Sequence, residues 1–400
     1  MVDGLAFILT SMPATVLLVT TMDWPFSAQL AGAFTAVGAR VEALCPQGRV
    51  LSRSRYPKRF HRYQALAPDA SLSRAMAQSN ADLVIPCDDL ASEIVQRVTG
   101  GEDFSDRHKF LTRAAAAGAP AQSMALENDG DIVDALAHLG LPLVVKCDHS
   151  WGGAGVVIAP TRKDAFTAFE RFRKQSRLRD LARFLRRGET YWLHRALSPV
   201  DPAISAQAFV DGHPATSSLA CWQGEVVAAN HFDVLVTSAA TGPACVVARR
   251  ECPQMIASAA VIAQAFKLSG LFGLDYVRDG AGQVHLLEMN ARATPTAHLM
   301  LGEDLPAALL QSAGLPARTR ARVTDKAEIA IFPREWMRDP ASPRLKNAYH
   351  DVPWDDPDVV RAGIQLDQDQ DLDDMPGEAL TQPEDGQSGI LTTKSAVFRG

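Results

Sequence analysis

The 400-residue sequence predicts an α/β protein, an open α/β domain followed by an α+β domain, from three observations. Apolar runs alternate with segments of helical spacing over about the first hundred residues. From Ser205 to Val247 the chain reads as successive strands, and a helix then precedes two closing strands. The last of these ends in "LLEMNARATP" (286–295), where Glu288, Asn290 and Arg292 alternate. A half-buried strand turns such positions to one face, which sets a carboxylate, an amide and a guanidinium side by side.

Length and composition bound the rest. A chain this long exceeds one simple core and implies two or three domains. Its 47% apolar and 22% charged residues are ordinary for a soluble protein, and a formal net charge of −6 argues against a general nucleic-acid binder. Six cysteines (45, 87, 147, 221, 245, 252) contain no C-x-x-C pair, which suits a reducing compartment and gives no zinc framework. The N-terminus is apolar but lacks a basic region and is divided by Pro13, so it reads as a short leader before a buried strand. No run of eighteen apolar residues follows. The expectation is a cytoplasmic protein with no membrane or nucleic-acid partner.

Taken in order, "ATVLLVTT" (14–21) reads as a buried parallel strand, "FSAQLAGAFTAVG" as a helix, and "ARVEALCP" as a second strand. "DLVIPCDD" (82–89) repeats the pattern, with a helix to Val98. The acids in "TTMD" and "PCDD" either border a ligand crevice at the strand ends or cap the following helices. "SDRHKFLTRAAAAGAP" (105–120) is a capped helix ended by Gly118 and Pro120. "PLVVKCDHSWGGAGVVIA" (142–159) is strand, glycine-rich loop and strand, with a strongly helical region over 162–187. Strands "SAQAFVDG", "ATSSLACW" and "EVVAANHFDVLV" come next, followed by a helix over about 254–268 and the strands "GLFGLDYV" and "QVHLLEMN". Residues 365–400 carry eight acids against two bases and read as a mobile tail.

Two constellations carry chemistry. Lys146 ends an apolar strand, and Gly152, Gly153 and Gly155 follow it; glycines let backbone N–H groups approach phosphate, and an ammonium adds a point charge. Neither a Walker loop nor G-x-G-x-x-G occurs in the chain. The second is the hairpin "GLDYVRDGAGQVHLLEMN". With Ala281 and Gly282 as a two-residue turn, Asp275 lies directly opposite Glu288; a three-residue turn sends Asp275 to the other face. Two facing carboxylates repel unless a cation lies between them, and with an amide oxygen they suit magnesium.

The ordered set of helix lysine (Lys109), strand lysine (Lys146), glycine loop, hinge strand and D…E-x-N-x-R hairpin resembles the ATP-grasp superfamily over about residues 105–335. The resemblance implies a pre-ATP-grasp domain (1–104), a two-lobed ATP-grasp domain (105–335, lid about 121–210), a C-terminal extension (336–364) and the tail. It implies that Lys109 and Lys146 contact ATP phosphates under the Gly152–Gly155 loop. Asp275, Glu288 and Asn290 would hold Mg2+ (or Mn2+), and Arg292 would face the reacting group. The hinge departs from the family: Gln207 or Ala208 stands where an acid is usual and His213–Pro214 near the place of a second, which leaves Gln207 and the backbone around Phe209 and Val210 to read adenine. The implied activity is an ADP-forming ligase. It phosphorylates a small-molecule carboxylate for attack by an amine or thiol, as a monomer or homodimer. The alternatives are a bicarbonate-activating carboxylase-like enzyme and a non-catalytic nucleotide-binding regulator.

Other features carry two readings. "RFRKQSRLRDLARFLRR" (171–187) is basic, yet Phe166, Phe169, Leu178, Leu181 and Leu185 keep helical spacing, as in packed helices with a solvated face. "RSRYPKRFHRY" (53–63) is a surface loop or an anion-binding stretch. His298 lines an acceptor pocket or is a hydrogen-bonded core histidine. Cys147 is strand packing.

Overall fold

The computed structural model describes residues 12–149, 153, 155–174, 177–188, 190–197 and 203–370. The first layer comprises β1 (Thr15–Val19), α1 (Phe26–Ala36), β2 (Arg40–Cys45), α2 (Val50–Arg53), β3 (Arg59–Arg62), α3 (Pro68–Ser79), β4 (Leu83–Pro86) and α4 (Asp89–Thr99). Its sheet is parallel throughout in the order β3-β2-β1-β4. Continuous apolar runs form its central strands because helices cover both faces. "RSRYPKRFHRY" is not a plain loop: it contains edge strand β3, where the buried His61 Nε2 meets Glu42 at 2.8 Å.

A small sheet follows. Its elements are α5 (Arg107–Ala116), β5 (Met124–Ala125), α6 (Asp129–Leu139), β6 (Leu143–Cys147), β7 (Val156–Ala159), α7 (Arg162–Arg173), α8 (Arg177–Arg187), α9 (Thr190–Leu197) and β8 (Ile204–Ala208). The strands are antiparallel in the order β5-β8-β6-β7, and α6 and α7 pack on them through Ile132, Phe169 and Phe172. The basic stretch 171–187 departs from expectation. Leu185 of α8 is 75% exposed, and the packing runs instead through Phe184 and through Tyr191 and Trp192 of α9. Those aromatics enter the first layer's core beside Leu17, Leu44, Leu90 and Ile94, and Arg49 donates to Gly188 O at 2.7 Å.

The largest sheet comprises β9 (Gly212–Trp222), β10 (Glu225–Thr237), β11 (Ala244–Arg249), β12 (Gly270–Asp279), β13 (Val284–Asn290), β14 (Glu328–Ala330) and β15 (Tyr349–His350). Its order is β13-β12-β9-β10-β11-β14-β15, antiparallel except for the last pair. Helices α10 (Pro253–Ala265) and α11 (Leu305–Ser312) cover it, and α12 (Arg334–Arg338), α13 (Arg344–Asn347) and α14 (Pro357–Gln370) complete the chain. Val359 and Ala362, one turn apart on α14, are buried in the core that holds Phe26, Leu30 and Leu51. The tail expected from residue 365 therefore begins as helix, because this apolar face docks on the first layer. Residues 371–400 and the leader 1–11 lie outside the described residues. No described helix is long and apolar enough to cross a membrane, and all six cysteines are buried as thiols.

Candidate active site

The hairpin β12–β13 sets Asp275 directly opposite Glu288, by a route the sequence did not suggest. Asp279 N–H donates to Gln283 O and Gly282 N–H to Asp279 O, both at 2.9 Å, so residues 280–282 make a three-residue turn. The register near the turn is accordingly Arg278 opposite Val284 and Tyr276 opposite Leu286. A bulge at Leu287 then inserts one extra residue and restores the Asp275–Glu288 pair. The bulge also presents the Leu287 carbonyl, which accepts from Lys146 Nζ and from Gln207 Nε2, each at 3.4 Å.

Lys146 ends β6 and is 4% exposed. Burial lowers its pKa to about 8, with Arg107 acting in the same direction and Glu288 and Asp275 opposing. Gln207, opposite Val144 on paired β8, also donates to Gln122 O at 3.2 Å, and its buried Oε1 has no partner among the described residues. Phe209 is 40% exposed with its N–H donated to Pro142 O, and Val210 is half-buried beside it.

Lys109 is not brought to this cluster. Its side chain is 79% exposed and pairs with Asp106 at 2.9 Å. Arg107 takes part instead: its guanidinium lies 2.9 Å from Glu288 and 3.0 Å from Asp148, and its N–H donates to Asp148 Oδ2. Helical residues two apart point to opposite sides, and a side chain in the first turn leans past the helix N-terminus. Asp106 caps α5, accepting from Lys109 N–H, so Arg107 is the first helical residue and projects into the strand ends. That cap was the readable signal.

Burial and the neighbouring Glu288 push the Asp275 carboxyl up. Glu288 behaves oppositely. Burial opposes its charge, but Arg107, Lys146 and Arg292 together hold its pKa below the usual range. Asn290 donates to Asp275 Oδ2 at 2.9 Å and accepts at Oδ1 from Arg292 at 3.0 Å. Arg292 reaches across to the first domain, donating to Asp89 Oδ1 at 2.7 Å and stacking over Trp24 at 4.9 Å. The acids of "PCDD" thus divide the two readings: Asp88 caps α4 at Ala91 N–H, and Asp89 meets the site. Asp23 of "TTMD" accepts from Val50 N–H at 2.8 Å, at the start of α2.

Gly153 of the glycine loop approaches the turn between β10 and β11. Gly153 has φ +84, and a Cβ there would lie 2.2 Å from Thr241 O, so only glycine fits beside the β10–β11 turn. Gly155 O accepts from Cys147 N–H at 2.8 Å, and Gly152 lies outside the described residues. His149 Nδ1 pairs with Glu93 of α4 at 3.1 Å, while its carbonyl accepts from Tyr191 Oη at 2.6 Å and from Arg195. A cleft lined by Asp89, Glu93, Arg107, Asp148, His149 and Glu288 opens between these elements.

The donors fit a hard divalent cation. No group of three or more His, Cys, Asp or Glu side chains converges among the described residues, so two carboxylates are the protein's anionic share. Magnesium commonly takes one or two carboxylates and completes its shell with water and phosphate oxygens. Burial, and after it Glu288, raises Asp275, and a cation between the two carboxylates would oppose both effects.

Residues 106–305 match the family "Carbamoyl-phosphate synthase L chain, ATP binding domain". No curated protein matches the sequence. Among solved structures the fold is similar to N5-carboxyaminoimidazole synthetase from Staphylococcus aureus complexed with ADP, at TM-score 0.54 and 12% identity over 77% of this chain and 79% of that one. It is similar also to the biotin carboxylase domain of Hydrogenobacter thermophilus 2-oxoglutarate carboxylase, a dimer in complex with MgADP and bicarbonate. That match has TM-score 0.56 and 13% identity over 78% and 72% of the two chains. Phosphoribosylglycinamide synthetase from Anaerococcus prevotii matches at TM-score 0.50 and 12% identity, over 76% of each chain.

Proposed function

The chain belongs to the ATP-grasp superfamily, and on that premise we propose that it is an ATP- and magnesium-dependent ligase joining a small-molecule carboxylate to an amine or thiol. The observation that carries the proposal is the Asp275–Glu288 pair, ringed by Lys146, Arg107 and Arg292. Such a ring neutralises a polyphosphate on one side and holds a cation on the other. Bound magnesium would supply Lewis-acid stabilisation of the phosphoryl oxygens.

Asp275 and Glu288 would hold the metal, with Asn290 Oδ1, now bonded to Arg292, as the amide oxygen beside them. Lys146 and Arg107 neutralise the phosphates, Gln207 with the backbone of Phe209 and Val210 reads the base, and Gly153 and Gly155 cover the phosphate chain. Residues 121–210 act as the lid, which excludes water from the reactive intermediate. A carboxylate oxygen of the substrate bonds to the γ-phosphorus as the bond to ADP breaks, giving an acyl phosphate. The amine or thiol then bonds to the acyl carbon, phosphate leaves with the electron pair of the C–O bond, and the nucleophile's proton departs with it. Arg292 would face the reacting group, where a fixed cation stabilises the negative charge that develops in transfer.

The test is ADP release with ATP, Mg2+ and pooled acids and amines, followed by mass spectrometry of the products. An amide or thioester formed in step with ADP supports the ligase. Turnover that answers to bicarbonate alone, or no nucleotide binding at all, overturns it.

A further inference from the structure

One carboxylate of the cleft is only half used. Four acids line it: Asp89, Glu93, Asp148 and Glu288. Glu93 meets His149 at 3.1 Å and Arg97 at 4.0 Å. Asp148 Oδ1 lies 3.0 Å from Arg107, and its Oδ2 accepts from Arg107 N–H. Glu288 lies 2.9 Å from Arg107 and faces Asp275 across the hairpin. Asp89 differs. Its Oδ1 accepts from Arg292 Nε at 2.7 Å, but its Oδ2 has no hydrogen-bond partner among the described residues, and the side chain is 46% exposed. Asp89 is the first residue of α4, and the cap before it, Asp88, is fully engaged with Ala91 N–H and the hydroxyls of Thr20 and Thr21.

Principles of reach join Asp89 to the metal pair. Arg292 Nη2 donates to Asn290 Oδ1 at 3.0 Å, and Asn290 Nδ2 donates to Asp275 Oδ2 at 2.9 Å. Arg292 Nη1 donates to Ala293 O at 3.2 Å, so the guanidinium is held at all three nitrogens and fixes Asp89 in turn. The other groups that face Asp89 are poor proton acceptors. His149 is bonded to Glu93, which raises its pKa and favours the charged ring, a form with no lone pair to offer. Tyr191 Oη donates to His149 O, and burial raises its pKa, so it keeps its proton. His298 is 9% exposed, lies with Nε2 3.3 Å from Asp351 Oδ2 and does not line the cleft; of its two sequence readings the core histidine is the one that fits.

We propose that Asp89 Oδ2 is the proton acceptor for the attacking amine, which enters the cleft as an ammonium ion. An ammonium has no lone pair until it gives up a proton, and a carboxylate within hydrogen-bond reach both draws the cation and takes that proton. The freed nitrogen bonds to the acyl carbon of the acyl phosphate. The C–O bond to phosphate breaks, and phosphate leaves with the electron pair and the nitrogen's second proton. Asp89 returns the first proton to water at its exposed side. The inference rests on the ligase reading and takes its amine branch.

The test compares two nucleophiles on full-length parent and Asp89→Asn proteins, with ATP, Mg2+ and an acid that supports ADP release. One is an amine that gives product in the ligase test; the other is hydroxylamine, which is uncharged at neutral pH and attacks acyl phosphates without a base. Asparagine still accepts from Arg292 but takes no proton. Hydroxamate should therefore form equally fast in both proteins, while amide formation falls about a hundredfold or more in the variant. That loss should shrink as pH rises, because water then deprotonates the amine. Equal loss with hydroxylamine would make Asp89 an anchor for Arg292 alone, and unaltered amide formation, or a thiol as the nucleophile, also overturns the inference; in each case the ligase reading stands. Should Asp89→Asn fail to bind ADP, Asp89→Glu decides: a carboxylate shifted by one methylene should slow amide formation about tenfold or more and spare hydroxamate, and an equal effect on both sinks the idea. If the parent protein releases no ADP with any acid, the ligase reading and the inference fall together.

Discussion

Arg107 and Lys109 lie two residues apart on one helix in opposite surroundings, and substitutions should separate them. Arg107→Met leaves Glu288 and Asp148 without their shared cation, which should cost about 3–5 kcal/mol of stability and lower ADP affinity. Lys109→Ala should keep both the melting temperature and ADP formation of the parent protein; a loss there would return Lys109 to the nucleotide. Lys146 makes the site sensitive to pH. Its folded pKa, about 8, lies below the unfolded value of 10.5, so between these limits the unfolded chain holds the extra proton. The charge penalises the nucleotide-free fold fully below pH 8, and stability contributed here rises as pH climbs through that window. Bound phosphate reverses the preference, so ADP affinity should fall as pH rises past 8, with proton uptake on binding. Calorimetry in two buffers of different ionisation heat checks this, and Lys146→Met should flatten the slope. Glu288 and Asn290 were legible because alternation is a one-strand property, and Arg292, two residues past the end of β13, still reaches Asn290. The Asp275 pairing was reached through a two-residue turn, while the chain uses a longer turn and a bulge that cancel, and nothing local in the sequence marks Leu287 as the extra residue.

Elements were legible where one periodicity governs, as in β1, β2, α1, β12 and β13. They were not where packing on a distant layer decides. Edge strand β3 is written in arginines because one face is solvent, and α9 is short, so its Tyr191 and Trp192 signal burial without saying in which core. Trp192→Ala should cost about 3–5 kcal/mol by opening a cavity in the first layer, and hydrogen exchange in α8 and α9 should rise with it. A change confined to the small sheet would contradict this docking. Gly153 governs the glycine loop. Gly153→Val combines a β-branched side chain at φ +84 with a clash against Thr241 O, so the loop must lift. The expected result is a raised KM for ATP with little change in melting temperature, read by steady-state kinetics and thermal unfolding.

For the whole molecule, the C-terminal extension is part of the body. Asp351 holds Gln29 across 322 residues of sequence, a polar pairing that no periodicity announces. Removing residues 371–400 should leave the melting temperature and ADP formation near those of the full chain, since that acidic span has little to bury. Truncation before Pro357 should destabilise the protein by several kcal/mol, because Val359 and Ala362 leave the first core. Differential scanning calorimetry of the two truncations separates these outcomes. The seating of α9 has a kinetic consequence. If residues 121–210 act as the proposed cover, Tyr191 and Trp192 seat it in the first layer's core, and His149 is tied to Glu93. Opening such a cover draws two aromatic side chains into water, at roughly 2 kcal/mol or more apiece, because the first layer that holds them shares one core with the seven-stranded sheet through Ala220, Leu271 and Leu309 and does not travel with the cover.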